Sequence, residues 1–226
     1  MSWMKWMLVG VMLGGSAWAQ DPQTPKPQVP KVLPVPPLPK APPYKAPPEP
    51  TDPPAQTVAD ARTHVVFHLP AGWVLSRTDG EISTFRLDAR TAPRRSQLRA
   101  VASLNFNPYP MSTFSGALFY LSRTPNTTAA SCAAQTTIKP EKPLSPAVVG
   151  DVKFRRGRDE HGHICTEARD IAYTAQRGGS CIRFDLAINS FCGGEVSGAQ
   201  DLTDAQFGSL FKRLEGILDT VQFTGK

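Results

Sequence analysis

The stretch ICTEARDIAYTAQRGGSCIRFDLAINSFC, Ile164 to Cys192, reads as one long β-hairpin and decides the fold. Its turn signal is Arg177-Gly178-Gly179-Ser180, a four-residue loop rich in glycine. Side chains alternate along a strand, so Ile182, Phe184, Leu186 and Ile188 share one face of the second arm. Arg183, Asp185 and Asn189 share the other. On the first arm Ile171 and Tyr173 are the large apolar pair. Setting Tyr173 opposite Phe184 also sets Ile171 opposite Leu186, which fixes the register. Carried along the ladder, that register places Cys165 opposite Cys192 on the core face. Cys181 points to the other face, near the loop end.

Downstream, residues 203–219 read as a helix. Thr203 and Gln206 form a capping box, with Leu202 and Phe207 placed as a hydrophobic staple. Phe207, Leu210, Phe211, Leu214, Ile217 and Leu218 recur at helical spacing, while Lys212, Arg213 and Glu215 lie off that stripe. A second helix is expected over 125–137, with Thr124 as cap, Pro125 at the first position and an alanine-rich body. Upstream, apolar runs predict strands near 63–69, 81–87, 98–106, 115–122 and 151–158. A short last strand is expected at Thr220-Val221-Gln222-Phe223. The expectation is an α+β domain: an antiparallel sheet of six to seven strands with two helices packed on it.

The rest of the chain is not globular in composition. Lys5 precedes Trp6 to Ala19, an uncharged stretch of 14 residues that ends Ser16-Ala17-Trp18-Ala19. That small-x-small ending is what a signal peptidase accepts, so residues 1–19 read as a cleaved signal peptide. A membrane-spanning helix needs ~20 apolar residues, and this block holds three glycines as well, so no transmembrane segment is expected in the mature chain. Residues 21–56 hold 15 of the chain's 23 prolines. Proline fixes φ and removes donors, so 20–56 reads as a polyproline II spacer before a domain over 57–226.

Export places the four cysteines, Cys132, Cys165, Cys181 and Cys192, in an oxidising compartment, periplasmic or extracellular, where an even number reads as two disulfides. No C-x-x-C pair exists to support structural zinc. The hairpin register selects Cys165–Cys192 and Cys132–Cys181. Cys181–Cys192 would join the two ends of one extended strand, roughly 36 Å apart at ~3.3 Å per residue. Cys165–Cys181 would join opposite ends of the hairpin.

The opening Phe67-His68-Leu69-Pro70-Ala71-Gly72-Trp73 resembles the F-x-x-P-x-G-W start of domains with the PsbP/Mog1-like α/β/α sandwich. The long hairpin, the helix with Phe207 to Leu218 and the last strand ending at Phe223 are similar too. The resemblance implies a binding or assembly factor without catalysis, and it carries over no set of functional residues.

Few residues offer chemistry. His161 and His163, two apart, fall on one side of a strand with Cys165 next in that row, and Asp159 and Glu160 stand beside them. A His-x-His pair can hold a metal ion, so these two are the candidate metal ligands. No G-x-S-x-G, P-loop or G-x-G-x-x-G occurs, so no nucleotide or other cofactor is expected. The formal charge is +6, and without Lys5 and the spacer's net +1 the domain keeps +4. That excess does not point to nucleic acid, an unexpected partner outside the cytoplasm. Arg90, Arg94, Arg95 and Arg99 around Pro93 form a candidate surface for an anionic partner such as another envelope protein or an anionic surface. Lys153, Arg155, Arg156 and Arg158 split between two strand faces. The sequence therefore leads to an exported, non-enzymatic binding or scaffold module, the alternative being a metal-dependent or hydrolytic envelope enzyme using His161 and His163.

Overall fold

A computed structural model describes residues 48–78, 93–136, 144–163, 165–191 and 198–225, the side chains of His161 and His163 excepted. The chain order is β1 (Gln56–Asp60), β2 (Val65–Leu69), β3 (Trp73–Ser76), β4 (Gln97–Leu104), β5 (Phe114–Thr124), α1 (Ala129–Ala133), a 3-10 turn (Ala134–Thr136), β6 (Leu144–Val149), β7 (Val152–His163), β8 (Thr166–Arg177), β9 (Ser180–Phe191), α2 (Asp204–Leu218) and β10 (Gln222–Phe223). The class is α+β as expected, but the described strands form two antiparallel sheets rather than one. Seven strands run in the order β3-β4-β5-β9-β8-β7-β6, and β1-β2-β10 form a separate three-stranded sheet.

The hairpin register holds from Thr166–Phe191 to Arg177–Ser180, with a turn two residues shorter than the expected four-residue loop. Tyr173 lies opposite Phe184 and Ile171 opposite Leu186, with Arg177 paired to Ser180. Only Gly178 and Gly179 remain in the turn, at φ 52° and 70°. Two consecutive left-handed residues are what a tight hairpin following the strand twist requires, and glycine supplies them without strain.

One face of the large sheet carries the core. Phe119, Phe184, Leu186, Ile188 and Ile171 pack there against Phe67 and Val65 of the small sheet and against α2. Ring centroids run Phe67–Phe119 at 5.2 Å, Phe119–Phe184 at 5.7 Å, Phe184–Phe154 at 5.6 Å and Phe154–Phe223 at 6.1 Å. A chain of aromatic contacts thus joins both sheets. Helix α2 buries Phe207, Leu210, Leu214, Ile217 and Leu218, and Thr203 and Gln206 close the capping box. Trp73, at the end of the Pro70-Ala71-Gly72 turn, is a core side chain, which is the structural meaning of that motif.

The opposite face is buried too, with a small apolar cluster of Val101, Leu118 and Tyr120 on β4 and β5 and polar side chains beside it. Arg183 and Asp185 are each 1 % exposed and form an ion pair. Arg183 Nη1 also donates to the carbonyl of Gln135 at 2.9 Å, so the 3-10 turn lies over it. The helix expected over 125–137 is shorter than its composition implied. Thr128, not Thr124, is the N-cap of α1. Thr124 ends β5, the Thr127 hydroxyl donates to its carbonyl at 2.9 Å, and Asn126 takes φ 50°, which delays the helix by a turn. The alanine-rich segment does cover Cys181, and the Cys132–Cys181 disulfide fastens it there with a Cα–Cα distance of 5.2 Å.

The second expected bridge, Cys165–Cys192, is not found. Cys165 keeps a free, exposed thiol, and Cys192 lies outside the described residues. The physical reason is a turn that the sequence did not announce. His163 pairs with Thr166, so Cys165 sits in the β7–β8 turn at φ 64° instead of on β8. The β8–β9 ladder ends one step earlier, at Thr166 and Phe191.

Three short strands were not anticipated. β1 pairs with β2, β3 with β4, and β6 forms the edge beyond β7. The strand expected at 81–87 lies outside the described residues. Residues just before β1 are in contact with the domain: Gly72 N–H donates to the Pro53 carbonyl at 2.8 Å, and Arg213 pairs with Glu49. No helix among the described residues is long and apolar enough to cross a membrane.

Candidate functional site

Turns from both sheets meet at a basic cavity of about 340 Å³. Its lining includes Arg62 and His64 of the β1–β2 turn, Arg123 near the end of β5, Arg177 at the end of β8 and Gly178 of the β8–β9 turn. Each cation has a local reason for its place. In the β1–β2 turn the Asp60 carboxylate accepts from the backbone N–H of Thr63 at 2.9 Å and from its hydroxyl at 2.7 Å. His64 follows at φ 55°, and its carbonyl accepts from Thr224 N–H at 2.7 Å, tying the turn to the end of β10. Arg123 continues the inward row Phe119, Leu121 and is half-buried where that row leaves the core. Arg177 lies over the Phe223 ring, 4.6 Å from its centroid, and donates to the Gly225 carbonyl.

The described lining contains no aspartate or glutamate. Asp60, at the end of β1, is already engaged: Arg99 Nη2 lies 2.7 Å and Arg77 Nη1 3.4 Å from Oδ1. Burial pushes its carboxyl up, but the hydrogen bonds from Arg99 and Thr63 and the Arg99 charge pull it further down, so it stays ionised below the usual carboxylate range. The cavity therefore gathers Arg62 of the β1–β2 turn, Arg123 of β5 and Arg177 at the end of β8 with no described carboxylate in its lining, an arrangement suited to holding an anion.

A second cleft of about 370 Å³ lies beside the start of α2, lined by Pro108, Tyr109, Pro110, Met111, Gln200 and Gln206 among others. A parallel bridge joins Ser112 and Gln200 of its lining. Met111 is 68 % exposed at its rim. The capping box of α2 occupies two amides beside the cleft: Gln206 N–H donates to Thr203 Oγ1 at 3.3 Å, and Thr203 N–H to Gln206 Oε1 at 2.8 Å. This cleft offers apolar surface and little charge.

The candidate residues from the sequence fall elsewhere. Arg94 and Arg95 are exposed in the turn before β4, Arg99 is directed at Asp60, and Arg90 lies outside the described residues. His161 and His163 occupy the end of β7, opposite Ala168 and Thr166, and their side chains lie outside the described residues. The same ladder sets Asp159 opposite Asp170 on the buried polar face. Arg62, Arg123 and Arg177 were missed because they stand far apart in the sequence, and only the pairing of distant turns brings them together. One local signal existed: Arg123 breaks an inward-facing apolar row, and a cation there must reach solvent or an anion.

No protein-family model matches the chain, and no curated protein matches it. Solved structures similar to it include a protein from Bacteroides thetaiotaomicron, 9 % identical with a TM-score of 0.43 over 75 % of this chain. The chain spans only 48 % of that protein's length. The solution structure of cyanobacterial PsbP from Synechocystis is 11 % identical, with a TM-score of 0.42 over 75 % of this chain and 92 % of that one. LpqN, described as involved in cell envelope biogenesis of Mycobacterium tuberculosis, is 9 % identical, with a TM-score of 0.35 over 76 % of this chain and 91 % of that one.

Proposed function

We propose that the chain is an exported, non-enzymatic binding or scaffold module, with residues 57–226 presented on the proline-rich spacer in the periplasm or outside the cell. The observation that carries this reading is the basic cavity, lined by Arg62 of the β1–β2 turn in the small sheet and by Arg123 and Arg177 from strands of the large sheet. Such a site positions a partner. Of the hydroxyls in its lining, Ser180 is buried and Thr63 is bonded to Asp60, so neither is poised as a nucleophile. The Cys132–Cys181 disulfide supports the compartment, because such bridges persist where the medium is oxidising.

The alternative, a metal-dependent or hydrolytic enzyme, draws on the His-x-His spacing of His161 and His163 near the end of β7. Metal analysis separates the two. Protein purified without a His-tag is expected to carry no stoichiometric metal. A full equivalent that disappears on changing both His161 and His163 to alanine would overturn the binding-module reading.

A further inference from the structure

The cavity between the β1–β2 turn, the end of β5 and the β8–β9 turn has a charge pattern specific enough to name a ligand class. Among the described residues neither Arg62 nor Arg123 has a carboxylate partner, whereas Arg77 and Arg99 share Asp60 and Arg213 takes Glu49. Arg177 is anchored by the Gly225 carbonyl and the Phe223 ring, and a guanidinium has five N–H donors, so donors remain for a ligand. Arg123 and Arg177 are half-buried, which weakens the solvent screening that makes exposed cations poor binders.

We infer that this cavity binds a small molecule through its phosphate monoester group, with Arg62, Arg123 and Arg177 as the ligating cations. The inference rests on the binding-module reading and adds the ligand class. Guanidinium forks match the oxygens of phosphate bidentately. A phosphate monoester carries close to two negative charges at neutral pH and offers three acceptor oxygens, so it offsets more of the charge of three guanidiniums than a single carboxylate does. The volume of about 340 Å³ lies at the low end of the ~300–1,000 Å³ range of small-molecule sites, which leaves room for a short organic body beyond the phosphate. Ile182 supplies an apolar part of the wall.

The test is calorimetric titration of the exported chain with inorganic phosphate, glycerol 3-phosphate and acetate at constant ionic strength. A parallel arm measures co-sedimentation with phosphatidylcholine vesicles with and without phosphatidic acid, which carries the same monoester on a lipid. The expected result is saturable one-to-one binding of glycerol 3-phosphate, at least about tenfold tighter than acetate. Arg123→Gln is expected to weaken it by about tenfold or more, as loss of a charge-assisted hydrogen bond does. Arg62→Gln, at an exposed side chain, keeps the test valid if Arg123→Gln fails to fold, and it should also weaken binding. Changing Arg94 and Arg95 to Gln together should leave it unaltered. Vesicle binding that needs phosphatidic acid and is competed by glycerol 3-phosphate would assign the same group to a lipid and support the inference. Equal affinity for acetate, binding indifferent to Arg62 and Arg123, or no binding in either arm would overturn it. Those outcomes leave the binding-module reading standing, since that is decided by metal content.

Discussion

Asp60 and Arg99 join the two sheets: Asp60 ends β1 in the small sheet, Arg99 stands in β4 of the large one, and Nη2 lies 2.7 Å from Oδ1. The β4–β5 register shifts between Leu98 and Ala100, so Arg99 is the bulged residue. A bulge redirects a side chain out of strict alternation, and here it delivers a guanidinium to a carboxylate whose side chain is 2 % exposed.

That pair sets an acid sensitivity. A carboxyl held below its usual range contributes stability that is present above the unfolded value of ~3.9 and lost as pH falls through the lower folded value. Asp60→Asn is expected to cost about 2–4 kcal/mol at pH 7, since it leaves Arg99 without its charge partner. The variant should also lose less stability than the parent between pH 5 and pH 2. Urea unfolding at both pH values measures this, and identical acid slopes for the two proteins would count against it.

The cysteine assignment gives a chemical readout. Non-reducing peptide mapping should recover a linked 132–181 peptide, with Cys165 alkylated before any reductant is added. Reduction should lower stability by ~2–5 kcal/mol, the usual cost of losing a native bridge. A 165–192 linked peptide would show that the free Cys165 is wrong.

Gly157 on β7 tests the packing of the 3-10 turn. A Cβ there would lie 1.8 Å from the Thr136 carbonyl oxygen and 2.8 Å from its carbon. Backbone cannot yield as a flexible side chain can. Gly157→Ala should therefore displace the turn and loosen the Gln135 carbonyl from the buried Arg183. The expected loss is about 3 kcal/mol, at the upper end of overpacking costs. A denaturation midpoint equal to the parent's would contradict the close approach.

The domain edge is a further measurable point. A chain beginning at residue 48 retains the Pro53 carbonyl for Gly72 N–H and Glu49 for Arg213, whereas one beginning at residue 57 loses both. The longer form should be more stable by about 1–2 kcal/mol, mostly from the backbone hydrogen bond, because the ion pair is partly exposed. Equal midpoints would place the edge at 57.

Much of this fold was legible in the sequence. The face of β9 and the pairing Tyr173–Phe184 follow from strict alternation over two 12-residue strands, a pattern long enough to fix a register. Helix α2 announced itself by a capping box and a five-residue buried stripe. What failed was short. β3 has only four residues, and β6 contains Pro146, which an edge strand tolerates but which hides a strand from pattern reading. Cys165 looked like the start of a strand because Ile164 and Cys165 are apolar, and nothing in their types signalled a left-handed turn residue. The basic cavity was illegible for a different reason. Arg62, Arg123 and Arg177 become neighbours only after the β1–β2 turn, β5 and β8 have packed, and no local spacing encodes that.

The claim that most needs testing is export to an oxidising compartment, since the disulfide and the reading as an external binding module both depend on it. Cells making the full chain would be acid-quenched, their free thiols trapped with a maleimide-polyethylene glycol, and the protein followed by fractionation and N-terminal sequencing. The account predicts a chain beginning at Gln20, found outside the cytoplasm, with Cys132 and Cys181 protected from the reagent. A full-length chain in the cytoplasmic fraction with both of those thiols labelled would contradict it.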